Sequence, residues 1–135
     1  MIIMAYSKEL VVKVMEALAN TEKDKCFYFD KENKAVIEVS DNIPDCKLSE
    51  IELVKIEAML KDFAELMEDF ALEQEAEDVQ DSLLKMLQNR DRRIGIINFK
   101  RILHDFPRSK KRWNLLENKW LKERALEFLD DLFME

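Results

Sequence analysis

Apolar residues recur every three or four positions over most of the chain, the spacing that places them on one face of an α-helix. The clearest run comprises Leu53, Ile56, Leu60, Phe63, Met67 and Phe70. It is preceded by Ser49–Glu52, which has the capping-box pattern typical of helix N-termini. The pattern therefore predicts a helix over about residues 49–73.

The same spacing predicts four further helices. The first follows Ser7, a residue type that caps helix N-termini, and extends to about Ala19. After the middle helix, two amphipathic segments are built on Val79, Leu83, Met86 and Leu87, and then on Ile96, Phe99 and Leu103. We expect Pro107 to stop the second segment and Ser109 to cap a last helix, which carries Trp113 and Trp120 on one face.

Two short runs near the N-terminus are instead rich in β-branched and aromatic residues, which favour strands. Cys26–Phe29 and Ala35–Val39 are joined by Asp30–Lys34, a spacing typical of a hairpin with a longer loop. Within that loop, Asn33 is the residue that best tolerates a left-handed conformation. The predicted fold is α+β and predominantly helical, with about five helices and one small β-hairpin near the N-terminus, in a single domain over residues 1–135.

The composition is consistent with a helical domain that has its own core. The 135 residues include only one Gly and two Pro, and 47% of them are hydrophobic. No run approaches the roughly 20 apolar residues of a membrane span, and no secretory leader is recognisable. Two Cys do not make a disulfide framework. We therefore expect a cytoplasmic protein with reduced thiols and no membrane association.

Charge is distributed unevenly along the chain. Residues 41–81 hold fourteen Asp and Glu and three Lys, a net charge of −11, whereas residues 90–124 hold twelve Lys and Arg and four Asp and Glu, a net charge of +8. One interpretation is that these are solvated helix faces that attract each other within the fold. The other is a surface for an acidic protein or for phosphate groups. The candidate binding residues are Arg90, Arg92, Arg93, Lys100, Arg101, Arg108, Lys110, Lys111 and Arg112.

Residues with catalytic or metal-binding chemistry are sparse. His104 is the only histidine, and a zinc site would need the paired ligand spacing that the two Cys lack. A nucleophilic pair between His104 and Cys26 or Cys46 stays open, because such partners meet only in the fold. Cys26 lies in a strand-like run, however, which favours a packing role. We predict no catalytic residues, no metal site and no cofactor.

The C-terminal half resembles a bacterial uncharacterised protein family, family 0158. The resemblance is carried by Phe99-Lys100, Leu103, Pro107, Trp113 and, most specifically, the terminal segment Leu121–Leu129. The N-terminal helix, hairpin and acidic middle are also similar, so the resemblance covers nearly the whole chain. The chain departs from the family pattern at Arg92–Ile96, at Asn118 and at Phe128. The resemblance implies a fold but no activity, because the family has no assigned biochemistry.

These observations favour a non-enzymatic regulatory or adaptor domain that binds another macromolecule through the basic surface in the C-terminal half. We expect a protein partner. The alternative is a nucleic-acid-binding protein that contacts phosphates through the same basic residues. The sequence does not specify an oligomeric state.

Overall fold

The computed structural model describes residues 6–22, 24–40 and 53–133. These residues confirm the predicted α+β, predominantly helical class with five α-helices. In chain order, the elements are α1 (Lys8–Leu18), β1 (Lys25–Asp30), β2 (Ala35–Ser40), β3 (Leu53–Ile56), α2 (Leu60–Leu72), α3 (Glu77–Leu87), α4 (Arg92–Ile102) and α5 (Pro107–Phe133), with a 3-10 turn, Leu103–Asp105, before α5. They form two compact units, one of residues 1–58 and 120–135 and one of residues 59–119. The single domain stays a prediction.

The first unit contains α1, the sheet and the C-terminal part of α5. Ser7 caps α1 as predicted, since its side chain accepts a hydrogen bond from the Leu10 amide at 3.2 Å. The predicted hairpin is present, and a third strand joins it to give the antiparallel order β2-β1-β3. Phe29 of the central strand is completely buried, with its ring centroid 5.6 Å from that of Phe133. This aromatic contact fixes the sheet against the end of α5.

The predicted helix over residues 49–73 is wrong in its first part. Leu53–Ile56 is a strand that pairs with β1, and α2 begins only at Leu60. In β3, Ile56 is buried and Lys55 is exposed, which is the alternation of a strand with one buried face. The predicted capping box at Ser49–Glu52 lies outside the described residues.

The hairpin loop also differs from the prediction at one residue. The left-handed backbone occurs at Lys34, with φ of 52°, and not at Asn33. Asn33 instead holds the turn through its side chain, whose Nδ2 donates to Asp30 Oδ2 at 2.7 Å. The Asp30 carboxylate also accepts from the Glu32 and Asn33 amides, and these hydrogen bonds lower the pKa of Asp30.

The second unit comprises α2, α3, α4 and the first part of α5. Its core is aromatic, and the rings of Phe63, Phe70 and Phe99 surround that of Trp113 at centroid distances of 5.3–5.6 Å. All four side chains are at least 95% buried. None of the described helices combines the length and the apolar composition of a membrane-spanning segment.

Candidate macromolecule-binding face

The first turns of α5 have one buried side and one exposed side. Ser109 and Trp113 are buried in the second unit, whereas the opposite side of the helix is open to solvent. The exposed side follows the helical spacing i, i+3, i+4, i+7 and i+11, which aligns its residues over about 16 Å. We call it the basic face, and its residues are Arg108, Lys111, Arg112, Leu115 and Lys119.

Three of the nine predicted residues, Arg108, Lys111 and Arg112, therefore share one helix face. Lys110 does not join them. It points to the other side of the helix, where its Nζ lies 2.8 Å from His104 Nδ1. The basic cluster that is continuous in sequence is thus divided by the helical twist.

The remaining predicted residues lie around α4. Arg90, Arg92 and Arg101 are exposed, and Arg93 is partly buried. Lys100 lies between α4 and α5, where its ammonium group is 3.1 Å from the Glu117 carboxylate and 5.2 Å from the centre of the Phe63 ring. Lys100 therefore has a structural role within the second unit, and the nine residues do not form one cluster.

The exposed basic residues form no ion pair with the acidic helix α2 in the described part of the chain. Of the nine predicted residues, Lys100 alone forms an ion pair with a carboxylate of residues 6–22, 24–40 and 53–133. Its partner, Glu117, belongs to α5 and not to the acidic stretch. Among the described residues, the acidic stretch (41–81) and the basic stretch (90–124) are therefore not joined by direct ion pairs.

A cleft of about 530 Å³ opens beside the start of the basic face. Arg108 and Arg112 line it together with Gln74, Phe106 and other residues of the second unit. Ser109 also lines the cleft, but its hydroxyl donates to Gln74 Oε1 at 2.8 Å. The predicted capping role of Ser109 is wrong, because α5 begins two residues earlier, at Pro107, a residue well suited to the first helical position.

The position of the cations on α5 is unfavourable for the helix itself. The first turn of α5 contains Arg108 and Lys110 and no acidic residue. The N-terminus of a helix carries a partial positive charge, so a nearby cation destabilises it. Helix stability therefore does not account for Arg108 on this face.

Leu115 and Lys119 were missed by the sequence prediction because they lie outside the runs of consecutive basic residues. Leu115 is 69% exposed, more than any other large apolar residue in the described part of the chain. Projection of the segment onto a helical wheel places both residues on the face of Arg108 and Arg112. That projection is the signal that would have found them.

His104 and Cys26, the residues considered above for a nucleophilic pair, belong to different units. His104 is exposed and lines a surface pocket with Met86, Asn98, Arg101, Ile102 and Asp105, without a described cysteine. Cys26 is a partly buried free thiol in β1, and Cys46 lies outside the described residues. Among the described residues, no group of three or more His, Cys, Asp or Glu is arranged to hold a metal ion.

Comparisons with known proteins identify the family. No curated protein and no solved structure matches the chain. The model of an uncharacterised protein family, UPF0158, matches residues 8–134, almost the whole chain. This match confirms the resemblance that the terminal segment carries. The chain therefore belongs to the uncharacterised protein family UPF0158.

Proposed function

We propose that this chain is a non-enzymatic regulatory or adaptor domain of the cytoplasm that binds an acidic surface of a protein partner through the basic face. The observation that carries the proposal is the combination of four exposed cations with Leu115 on one side of α5. None of these cations has an ion-pair partner among the described carboxylates. An apolar residue surrounded by charges is typical of a protein interface.

Leu115 favours a protein over a nucleic acid. It lies one turn after Lys111 and Arg112 and one turn before Lys119, near the middle of the face. A phosphate backbone offers no apolar surface for this side chain, whereas an amphipathic acidic helix does. The cations would then provide orientation and fast association, and Leu115 would provide buried apolar area.

Site-specific photo-crosslinking in cells tests this proposal. A photoreactive benzoyl-phenylalanine is placed at position 115 or, as a control, at position 12, where Val12 is 40% exposed on α1. We expect a protein adduct from position 115 that is absent from position 12. No such adduct, or the same adduct from both positions, would contradict the proposal.

The captured protein is then purified and its affinity for the chain is measured by calorimetry. The triple substitution R108E/K111E/R112E should weaken binding at least tenfold, since it reverses the charge of three contacts at once. The control K8E/K13E/K85E reverses three exposed lysines elsewhere and changes the net charge equally. Equal loss of affinity in both variants would show that net charge, and not the basic face, determines binding.

The cleft beside Arg108 and Arg112 supports a second candidate function, binding of nucleic-acid phosphates. The arginine side chains suit phosphate geometry, whereas the carboxylates of Glu75 and Asp105, which line the same cleft, oppose a phosphate group. In that case, position 115 should crosslink to RNA or DNA, and affinity for a labelled oligonucleotide should fall steeply with salt concentration. No gel shift at low salt would exclude this candidate.

A further inference from the structure

The acidic helix α2 carries a counterpart of the basic face. Each helix presents four exposed residues at positions i, i+3, i+4 and i+7, with like charges at the first three positions and a leucine at the fourth. The acidic quartet on α2 is Glu65, Glu68, Asp69 and Leu72, and the basic quartet on α5 is Arg108, Lys111, Arg112 and Leu115. The two patterns thus have the same spacing and opposite charge.

Both leucines are exposed, Leu72 by 54% and Leu115 by 69%. The three carboxylates of the acidic quartet, like the three cations of the basic quartet, form no ion pair with another described residue. Each quartet therefore has an apolar position and three charges that the second unit itself leaves uncovered.

The two quartets of one copy cannot meet. Phe63 and Phe70 on the buried side of α2 pack against Trp113 on the buried side of α5. Because each quartet lies on the side of its helix opposite these aromatic residues, both point away from the core that the helices share. A contact between the quartets requires two molecules.

Each quartet also carries the charge that its own helix end disfavours. Asp69 lies in the last turn of α2, where no basic residue is present and the helix end carries a partial negative charge. Arg108 lies in the first turn of α5, where the helix end carries a partial positive charge. A second molecule that docks the oppositely charged quartet would relieve both unfavourable interactions.

We infer that the acidic quartet of one copy of this chain docks on the basic quartet of a second copy. A parallel, in-register pairing of the two helices places Glu65 opposite Arg108 and Leu72 opposite Leu115. The pair then keeps one free quartet of each sign, one on each copy, so the contact is head-to-tail and growth continues beyond the dimer as concentration rises. The inference rests on the proposed function, since it names the occupant of the basic face.

The interface of one helix pair is small, so we expect weak association that depends on concentration and salt. Light scattering after size-exclusion chromatography measures it across a range of protein concentrations at ~20 mM and ~500 mM salt. The mass should exceed the monomer's 16.1 kDa at low salt and high concentration and return to it at high salt. A monomer under all conditions would overturn the inference.

Charge reversal provides the specific test. R108E/K111E/R112E and E65K/E68K/D69K should each be monomeric alone, because each then presents two quartets of one sign. An equimolar mixture of the two should associate again, and so should the chain that carries all six substitutions. The control E16K/E32K/D131K, at three exposed acids elsewhere, should behave as wild type.

Failure of the mixture to associate would overturn the inference, as would association of either triple variant alone. Circular dichroism checks that each variant is folded. Where a charge reversal unfolds the chain, the neutral variants R108Q/K111Q/R112Q and E65Q/E68Q/D69N replace it and should also be monomeric.

A monomeric wild type whose position 115 crosslinks to a different protein would refute self-association and leave the proposed function standing. A monomer with no adduct would refute both.

Discussion

The indole of Trp113 on α5 meets the ring of Phe99 on α4 edge to face, with centroids 5.3 Å apart and planes inclined by 69°. The same indole contacts Phe63 and Phe70 of α2. Trp113 therefore joins three helices of the second unit, and the exposed side of α5 depends on this anchor for its position.

Removal of the Trp113 side chain should be strongly destabilising. Trp113→Ala leaves a large cavity among the three phenylalanines, and we expect a loss of ~3–5 kcal/mol in the free energy of unfolding. Trp113→Phe should cost less than about 2 kcal/mol. The indole Nε1 is buried and has no hydrogen-bond partner among the described residues, so its removal also relieves an unsatisfied donor.

Urea unfolding followed by far-ultraviolet circular dichroism measures both values without reliance on tryptophan fluorescence. If Trp113→Phe were as damaging as Trp113→Ala, the indole N–H would have an important acceptor, contrary to this account.

Gly95 is the single glycine of the chain and lies inside α4. A helical glycine normally gains ~1 kcal/mol of stability on replacement by alanine. Here, a Cβ atom at position 95 would lie 3.1 Å from the Met86 carbonyl oxygen of α3, and backbone moves less readily than a side-chain end. We expect Gly95→Ala to bring no gain in thermal stability and Gly95→Val to lower it.

The matched control for Gly95 is Asn118→Ala at an exposed position of α5, where helix propensity acts without a steric cost. It should gain ~0.5 kcal/mol. A comparable gain for Gly95→Ala in thermal unfolding would show that the Met86 carbonyl moves enough to accommodate the added Cβ atom.

Tyr6 and Asp130 form a side-chain hydrogen bond in the first unit. The Tyr6 hydroxyl donates to Asp130 Oδ1 at 2.8 Å, and burial together with this carboxylate raises the pKa of Tyr6 from 10.0 to about 12. The folded state therefore holds the phenolic proton more tightly than the unfolded state. Its stabilising effect is complete below the unfolded-state pKa of 10.0 and is lost as the pH rises towards about 12.

Tyr6→Phe should lower the free energy of unfolding at neutral pH by ~1.5–3 kcal/mol, because it removes a hydrogen bond to a charged group. The difference between wild type and Tyr6→Phe should narrow as the pH rises above 10.0. Urea midpoints at several alkaline pH values measure this difference. The control Tyr28→Phe leaves the contact between Tyr6 and Asp130 intact. Its free energy of unfolding should therefore fall with rising pH as in the wild type. A constant difference across that range would contradict the linkage.

The helices were predictable from the sequence because the spacing of apolar residues is a local property. Val11, Val14, Phe63, Met67 and Phe99 all lie on buried faces as the three-and-four spacing requires. Leu53–Ile56 was misassigned because a short apolar run fits both helix and strand. What decides between them is pairing with β1, more than twenty residues earlier in the chain.

The candidate site was predictable only in part for a related reason. Charge composition locates the basic stretch, but it does not indicate which of its residues share one surface. The helical twist separates Lys110 from Lys111, and packing between α4 and α5 pairs Lys100 with Glu117. Such pairings depend on tertiary packing and are not encoded in local sequence.

Arg108 should show a conflict between stability and binding. It lies in the first turn of α5, so Arg108→Glu replaces a repulsive interaction with the helix dipole by an attractive one and should gain ~0.3–1 kcal/mol. The matched control is Arg101→Glu in the last turn of α4, where a cation is favourable, and this variant should lose a similar amount. Thermal unfolding at low ionic strength measures both changes. If Arg108→Glu instead destabilised the chain, Arg108 would contribute to the fold, and its presence on α5 would no longer call for a binding partner.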